Sequence, residues 1–152
     1  VQDALCAAGS TAVVREFDQA CRTSAEAAAV LGCDIAQIAK SVIFRGAASG
    51  RSILVITSGA QRVDTGKVAQ LAGEPPAKAD PDYVREHTGF VIGGVAPFAH
   101  TKPGLVFMDE TLLAFPTVFP AGGTPQALFE IAPAELVRVS GAQVADVIEA
   151  RR

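Results

Sequence analysis

Lys40 stands where a short helical stretch passes into an apolar run, Ser41 to Phe44. A lysine at a strand start is ordinarily a solvated end residue. Strand side chains alternate, however, so Lys40 shares a face with Val42 and Phe44, while Ser41, Ile43 and Arg45 take the other. An ammonium in line with a valine and a phenylalanine points toward a pocket, where it can anchor a phosphate or another oxyanion. The second candidate is IGGVAPFAH, residues 92–100. Gly93 and Gly94 let backbone approach a ligand, and Pro97 stiffens the far side of the loop. Val95 and Ala96 are then the side chains placed to wall a pocket, with Val42 or Phe44 opposite. His100 follows the loop and is either a ligand contact or a satisfied core histidine. Two further glycine-bearing turns are Ser58-Gly59-Ala60 and Ala121-Gly122-Gly123-Thr124-Pro125. Any one of these alone reads as a tight turn. Three of them with a strand-borne lysine point to a polar cleft lined by backbone N–H groups. Gly122 and Gly123 are expected to border that cleft across from Gly93, with Thr124 near the ligand.

Other chemistries lack their residues. There is no GxSxG elbow, HExxH pair, P-loop or GxGxxG turn. Of the two histidines, His87 lies in an amphipathic stretch and reads as a surface residue. Cys6, Cys21 and Cys33 are odd in number and lack CxxC spacing, so neither a disulfide framework nor a zinc site is expected. They read as packing residues, and a reducing, cytoplasmic setting fits them. The net charge of -3 gives no global pull toward nucleic acid, and contact with RNA would need a local cluster of the 13 Lys and Arg. No run is long enough to span a membrane.

The elements that would position these residues follow from caps and periodicity. VQDALCAAG has a helical pattern that stops at Gly9, and TAVVREF alternates like a strand. Thr23 and Glu26 have capping-box spacing for a helix ended by Gly32, and Asp34 caps a short turn through Ile38. KSVIFRGA and SILVITS read as a β-hairpin. Asp64 caps a helix running to QLAG, and Asp80-Pro81 starts another that leads into the Gly93 loop. GLVFMD is a buried strand, and Asp109 caps ETLLAF. TVFP and QALFEI are strands, Pro133 opens a helix, and GAQVADVIEA is helical. Irregularly mixed strands and helices, with several strand pairs close in sequence, give a mixed α/β (α+β) domain spanning residues 1–152. The core is aliphatic, since aromatics are 6% of residues and Trp is absent.

Four blocks in order, TSAEAAAVLGCDIAQIAKSVIF, SGAQRVDTGKVAQLAG, TGFVIGGVAPFAH and FPAGGTPQALFEIAPAEL, resemble the YbaK/ProX family of aminoacyl-tRNA deacylases. That family is similar to the editing insertion domain of prolyl-tRNA synthetase. The likeness runs from about Thr23 to the C-terminus. It implies a compact, barrel-like mixed sheet surrounded by helices, and hydrolysis of the ester joining a wrong amino acid to the terminal adenosine of tRNA. The family's lysine before the first long strand matches Lys40, and its Gly-x-x-x-Pro loop matches Gly93 to Pro97. On this resemblance Lys40 and Gly93 are the catalytic candidates. Val42, Phe44, Ser58, Gly59, Gly94, Val95, Ala96, Pro97, His100, Gly122, Gly123 and Thr124 are the substrate-binding ones.

An aminoacyl ester is already activated, and the adjacent ribose hydroxyl can assist. The protein then has to position the ester, stabilise the developing oxyanion and admit water, with no metal or other cofactor required. The implied partner is the acceptor end of a mischarged tRNA, tRNA(Pro) in particular, with prolyl-tRNA synthetase as a candidate protein partner. Where the cysteine-specific members carry a small hydroxyl residue before the glycine pair, this chain has Pro120 in FPAGG, which leaves alanine, cysteine, serine and threonine as open substrates. The competing expectations are a catalytically silent tRNA-binding, nucleotide-binding or interaction module of the same fold, and a hydrolase acting on other small esters.

Overall fold

A computed structural model gives the architecture, with residues 1–149 described. Helix α1 (Gln2–Ala7) opens the chain, and strand β1 (Arg15–Glu16) follows. Helix α2 (Ser24–Leu31) begins with the Thr23/Glu26 capping box and ends on Gly32 in the left-handed conformation. Asp34 caps a 3-10 turn, Ile35–Gln37, which feeds directly into strand β2 (Ile38–Gly46). β2 pairs antiparallel with β3 (Ser52–Ser58) over its length, from Ala39↔Ser58 to Arg45↔Ser52. The Asp64-capped helix α3 (Thr65–Ala72), strand β4 (Pro76–Lys78) and helix α4 (Pro81–Thr88) come next. After the glycine-rich loop come β5 (Leu105–Asp109) and a 3-10 turn capped by Asp109. Strands β6 (Phe119–Pro120) and β7 (Ala127–Leu128), helix α5 (Pro133–Ser140) and strand β8 (Gln143–Ala145) complete the order.

The main sheet runs β4–β2–β3–β5–β8, and β6 also pairs with β2. β3–β5, β5–β8 and β2–β6 are parallel. Bridges Ala121↔Leu128 and Val118↔Ile131, with the β1–β7 pair, carry the strand network on beyond β6. This is a mixed α/β fold with helices packed around the sheet.

Alternation along β3 divides the core. Leu54 and Ile56 face one side, with Leu5, Met108, Leu112, Phe129 and Leu136. Ile53 and Val55 face the other, with Val68, Phe107 and Val147. Each buried aliphatic or aromatic side chain contributes about 1.5–3 kcal/mol. The packing of α3 against the second face therefore depends heavily on Val68.

One element differs from expectation. GAQVADVIEA is not a helix over its described residues. After Gly141 ends α5 in the left-handed conformation, the chain enters β8 beside β5, and Ile148 bridges Val63. No side chain caps a helix there. Asp109 instead accepts from Val147 N–H at 3.2 Å, and Val147 is fully buried. Ala150 lies outside the described residues. The strands expected in TAVVREF, TVFP and QALFEI exist, but each shrinks to a two-residue pairing.

Candidate functional site

The site originates in an interruption of strand pairing. On the edge of β2 away from β3, β6 pairs with Ile38 and Ala39, and β4 pairs with Phe44 to Gly46. Residues 40–43 have no strand on that edge. The direction of their backbone groups follows from the ends of the hairpin. Gly59 N–H donates to Ile38 O at 2.7 Å, and Gly46 N–H donates to Arg51 O at 2.8 Å. Even-numbered residues of β2 therefore aim their N–H and C=O groups at β3, and odd-numbered ones at the opposite edge. Ser41 is the odd residue in the middle of the gap, so its N–H and C=O face the opening. Its hydroxyl is buried and has no hydrogen-bond partner among the described residues.

A cavity of about 360 Å³ opens over this gap. Lys40, Ser41 and Val42 line it from β2, Cys21 to Ser24 from the start of α2, and Ile92, Gly93 and Val95 from the glycine-rich loop. Ala121 and Leu128 line it beyond β6. A contiguous recess of about 200 Å³ shares Ser41, Val42, Ile92, Gly93 and Val95. Its remaining walls, Ile43, Ala79 and Val84, are apolar. The larger chamber thus carries the polar and cationic groups, and the smaller is a hydrophobic annex.

Lys40 is half-buried. Its Nζ donates to Gln61 O at 2.6 Å, which ties the ammonium to the loop between β3 and α3. Burial pushes its pKa below the ordinary lysine value, and the like charge of Arg62 lowers it further. The cation is therefore held in place and incompletely solvated, a state that favours an incoming anion.

The adjacent glycines have different tasks. Gly93 has φ +93°, and a Cβ there would lie 2.9 Å from Arg22 Cγ, so the loop backbone rests on the Arg22 side chain at the cavity wall. No backbone carbonyl among the described residues accepts from Gly93 N–H. Gly94 N–H, expected to face a ligand, is instead spent on Val91 O at 3.0 Å. A Cβ on Gly94 would lie 2.5 Å from the Thr124 carbonyl carbon. Gly94 is the contact by which the loop docks on the 121–125 turn. Phe98, buried and edge-on to Phe129 at 5.8 Å, anchors the other end of the loop in the core.

Several candidate residues lie outside the cavity lining. Phe44 packs with Ile53 and Val55 on the α3 side, and β4 covers the edge of β2 from Phe44 onward, so the cavity does not extend to it. Ser58 Oγ donates to Ala36 O at 2.7 Å, and a Cβ on Gly59 would meet Ser24 Cβ at 2.6 Å. Both residues support the wall of the cavity from behind. Ala96 and Pro97 are buried beneath the loop. His100 Nε2 lies 2.6 Å from Ala96 O and so carries its proton there. With Pro97 it lines a separate recess beside Ser52 and Leu105. Burial holds the His100 pKa below its ordinary value, opposed by the Ala96 bond. Gly122 packs on Val14 and Ala127, and Gly123, at φ +106°, on Val1 and Phe90. Thr124 Oγ1 accepts from Gln126 N–H, so Ala121 is the residue of that turn that reaches the cavity.

Sequence reasoning missed Cys21, Arg22, Ser24, Ser41, Ile92 and Ala121. Thr23 was visible as a cap, which implied a helix start but not a cavity wall. Among the described residues, no group of three His, Cys, Asp or Glu side chains could hold a metal ion.

Fold and site together define a mixed α/β domain whose cavity, with a lysine at its edge and a glycine-rich loop on its wall, suits a small molecule carrying an anionic group. A model of the aminoacyl-tRNA editing domain matches residues 18–139, and the chain belongs to that family, the YbaK/ProX group. YwhH, an uncharacterized protein of Bacillus subtilis (strain 168), is 37% identical over 131 residues, 86% of this chain and 83% of that protein. A crystal structure of a candidate trans-editing enzyme for prolyl-tRNA synthetase is similar at TM-score 0.91 and 45% identity, covering 98% of this chain and 94% of that one. A scaffold used for computational grafting of linear epitopes is similar at TM-score 0.92 and 43% identity, covering 98% and 95%.

Proposed function

We propose that the protein is a trans-editing deacylase that hydrolyses the ester of tRNA mischarged with a small amino acid (alanine, cysteine, serine or threonine) on tRNA(Pro). The observation that carries this reading is the cavity at the gap in β2, lined by Lys40 and by Gly93, whose N–H donates to no backbone carbonyl among the described residues. In this reading the Lys40 ammonium holds the terminal adenosine or its phosphate. The Gly93 N–H, with the edge-facing N–H of Ser41, donates to the ester carbonyl oxygen as negative charge develops on it. Water, assisted by the ribose hydroxyl, adds to the carbonyl carbon. The carbon–oxygen bond to the ribose then breaks, and the proton from water passes to the departing ribose oxygen. The products are the free amino acid and uncharged tRNA. Val42, Val95 and Ile92 wall the aminoacyl group and exclude bulk by steric contact. Such a wall discriminates weakly against smaller groups, since one methylene is worth about 1–3 kcal/mol.

The test is amino acid release from tRNA(Pro) charged with alanine, cysteine, serine, threonine or proline. Release of a small amino acid with prolyl-tRNA spared is expected. Absence of release from every charged tRNA would refute the deacylase reading.

A further inference from the structure

Four ion pairs occur among the described residues: Arg51–Glu74, Lys67–Asp146, Lys102–Glu86 and Arg138–Glu135. Arg22, Lys40 and Arg62 are in none of them, although the chain carries a net charge of -3. Their placement forms a series. Arg22 is exposed on the cavity wall, with its aliphatic stem against Gly93. Lys40 lines the same cavity from the strand edge. Its ammonium reaches out to the carbonyl of Gln61, and Arg62, the next residue, is exposed. The backbone of Arg62 is fixed by Glu149 N–H, which donates to its carbonyl at 2.9 Å. Near Arg22 and Arg62 in sequence, Glu26 accepts from Thr23 N–H and Asp64 from Gly66 N–H, and no ion pair joins any carboxylate of the described residues to Arg22, Lys40 or Arg62. Three cations without an ion-pair partner among the described residues therefore lead from inside the cavity, past its edge, to the β3–α3 loop.

We propose that Arg22, Lys40 and Arg62 form a track for consecutive phosphates of a single-stranded RNA 3′ end. Arg22 and Arg62 would set affinity for the polynucleotide and take no part in bond breaking. This rests on the deacylase reading for the identity of the RNA, a tRNA acceptor strand. Arginine suits such a track because its planar fork meets phosphate oxygens in pairs. The track also resolves the mismatch between an acidic chain and a polyanionic partner. Arg15, Arg45, Lys78 and Arg85 are also exposed and outside the four ion pairs, but none of them lines the cavity, so only the Arg22–Lys40–Arg62 series leads into it.

The test has two arms. In the first, a fluorescent, uncharged acceptor-stem RNA hairpin with a single-stranded CCA end is titrated at several salt concentrations with wild type, Arg22→Ala, Arg62→Ala and Lys102→Ala. Each lost phosphate contact should reduce the slope of log K against log salt by about 0.7 for single-stranded RNA. Arg22→Ala and Arg62→Ala should each show that reduction. Lys102→Ala, which removes the same charge from an exposed ion pair, should not. In the second arm, Arg62→Ala is assayed on charged tRNA and on aminoacyl-adenosine, which has no phosphate. KM for the tRNA should rise, while hydrolysis of the adenosine ester should be unchanged. Unaltered salt slopes, slopes altered equally by Lys102→Ala, or equal losses on both esters would overturn the track. If wild type cleaves neither ester, the deacylase reading fails, and the salt slopes still decide whether the track binds RNA.

Discussion

Gly94→Ala is the perturbation whose consequences the structure determines most closely. Gly94 does not have a positive φ, so alanine can adopt its backbone without conformational cost. Space decides the outcome. The new Cβ would lie 2.5 Å from Thr124 C, 2.8 Å from Pro125 N and 2.8 Å from Thr124 Cα, all backbone atoms that cannot rotate away. Reaching an ordinary contact of 3.4 Å requires the loop and the 121–125 turn to separate by about 0.9 Å. Overpacking of this kind costs ~1–3 kcal/mol, equivalent to a fall in Tm of about 2–12 °C in a chain of this size. The separation also displaces Gly93 and Val95, which line the cavity. A misplacement of about 1 Å can cost on the order of 100-fold in rate. Gly73→Ala separates the two effects. Gly73 has φ +77° and nothing within 4 Å of a built Cβ, so alanine there pays only the left-handed backbone cost of ~1–2 kcal/mol, at a position that does not line the cavity. Both variants should melt earlier by calorimetry. In a deacylation assay well below both melting points, Gly73→Ala should match wild type and Gly94→Ala should lose about one to two orders of magnitude. Equal activity of the two variants, or a wild-type Tm for Gly94→Ala, would refute the docking role assigned to this glycine.

Lys40→Ala should abolish most deacylation while leaving the circular dichroism spectrum and Tm close to wild type, and arginine should rescue it poorly because a planar fork does not replace a compact ammonium. Because burial lowers the Lys40 pKa, its hold on RNA phosphate should weaken as pH rises, and at lower pH than for a surface lysine; hairpin-RNA affinity across pH 7 to 10.5 measures this, with Lys40→Arg expected to flatten the profile. His100, lowered from its ordinary 6.5 by burial, contributes stability that is present above about pH 6.5 and lost as pH falls through its lowered folded value. His100→Gln should reduce the acid-dependent fall in Tm and leave deacylation at pH 7.5 unchanged, whereas a loss of activity would return His100 to the reacting site. Burial, and secondarily Glu26, raises the Cys21 thiol above its ordinary value, so iodoacetamide should label exposed Cys6 first by peptide mapping, and activity should fall only as the cavity-lining Cys21 is modified.

What could be read from the chain without coordinates was what neighbouring residues decide among themselves. The Thr23/Glu26 box, the Asp34, Asp64, Asp80 and Asp109 caps, and the β2–β3 hairpin each close within a few residues, and each formed as expected. Terminal strand β8 was not legible, because its partner β5 lies more than thirty positions earlier and its short apolar pattern suits a helix equally well. The cavity is a stronger case of the same limit. It exists because β6 and β4, from residues 119–120 and 76–78, pair with the two ends of β2 and stop short of its middle. Nothing in KSVIF indicates that two remote strands will leave the outer edge of β2 open at Ser41, and alternation extended the expected pocket from Lys40 and Val42, which line the cavity, to Phe44, which packs on the α3 side. The glycines show how identical residues diverge once packed. Gly93 faces a cavity wall, Gly94 faces a backbone, and Gly122 faces two side chains. Composition can mark a loop as glycine-dependent, but which glycine meets a ligand depends on what lies opposite, and here that is Arg22, a residue with no motif around it. Lys40 was legible because a charge interrupting an apolar strand needs a local explanation, whereas an exposed arginine needs none until the fold sets it beside a cavity. Mutational work on this site should therefore begin with the residues opposite the motif as well as those within it.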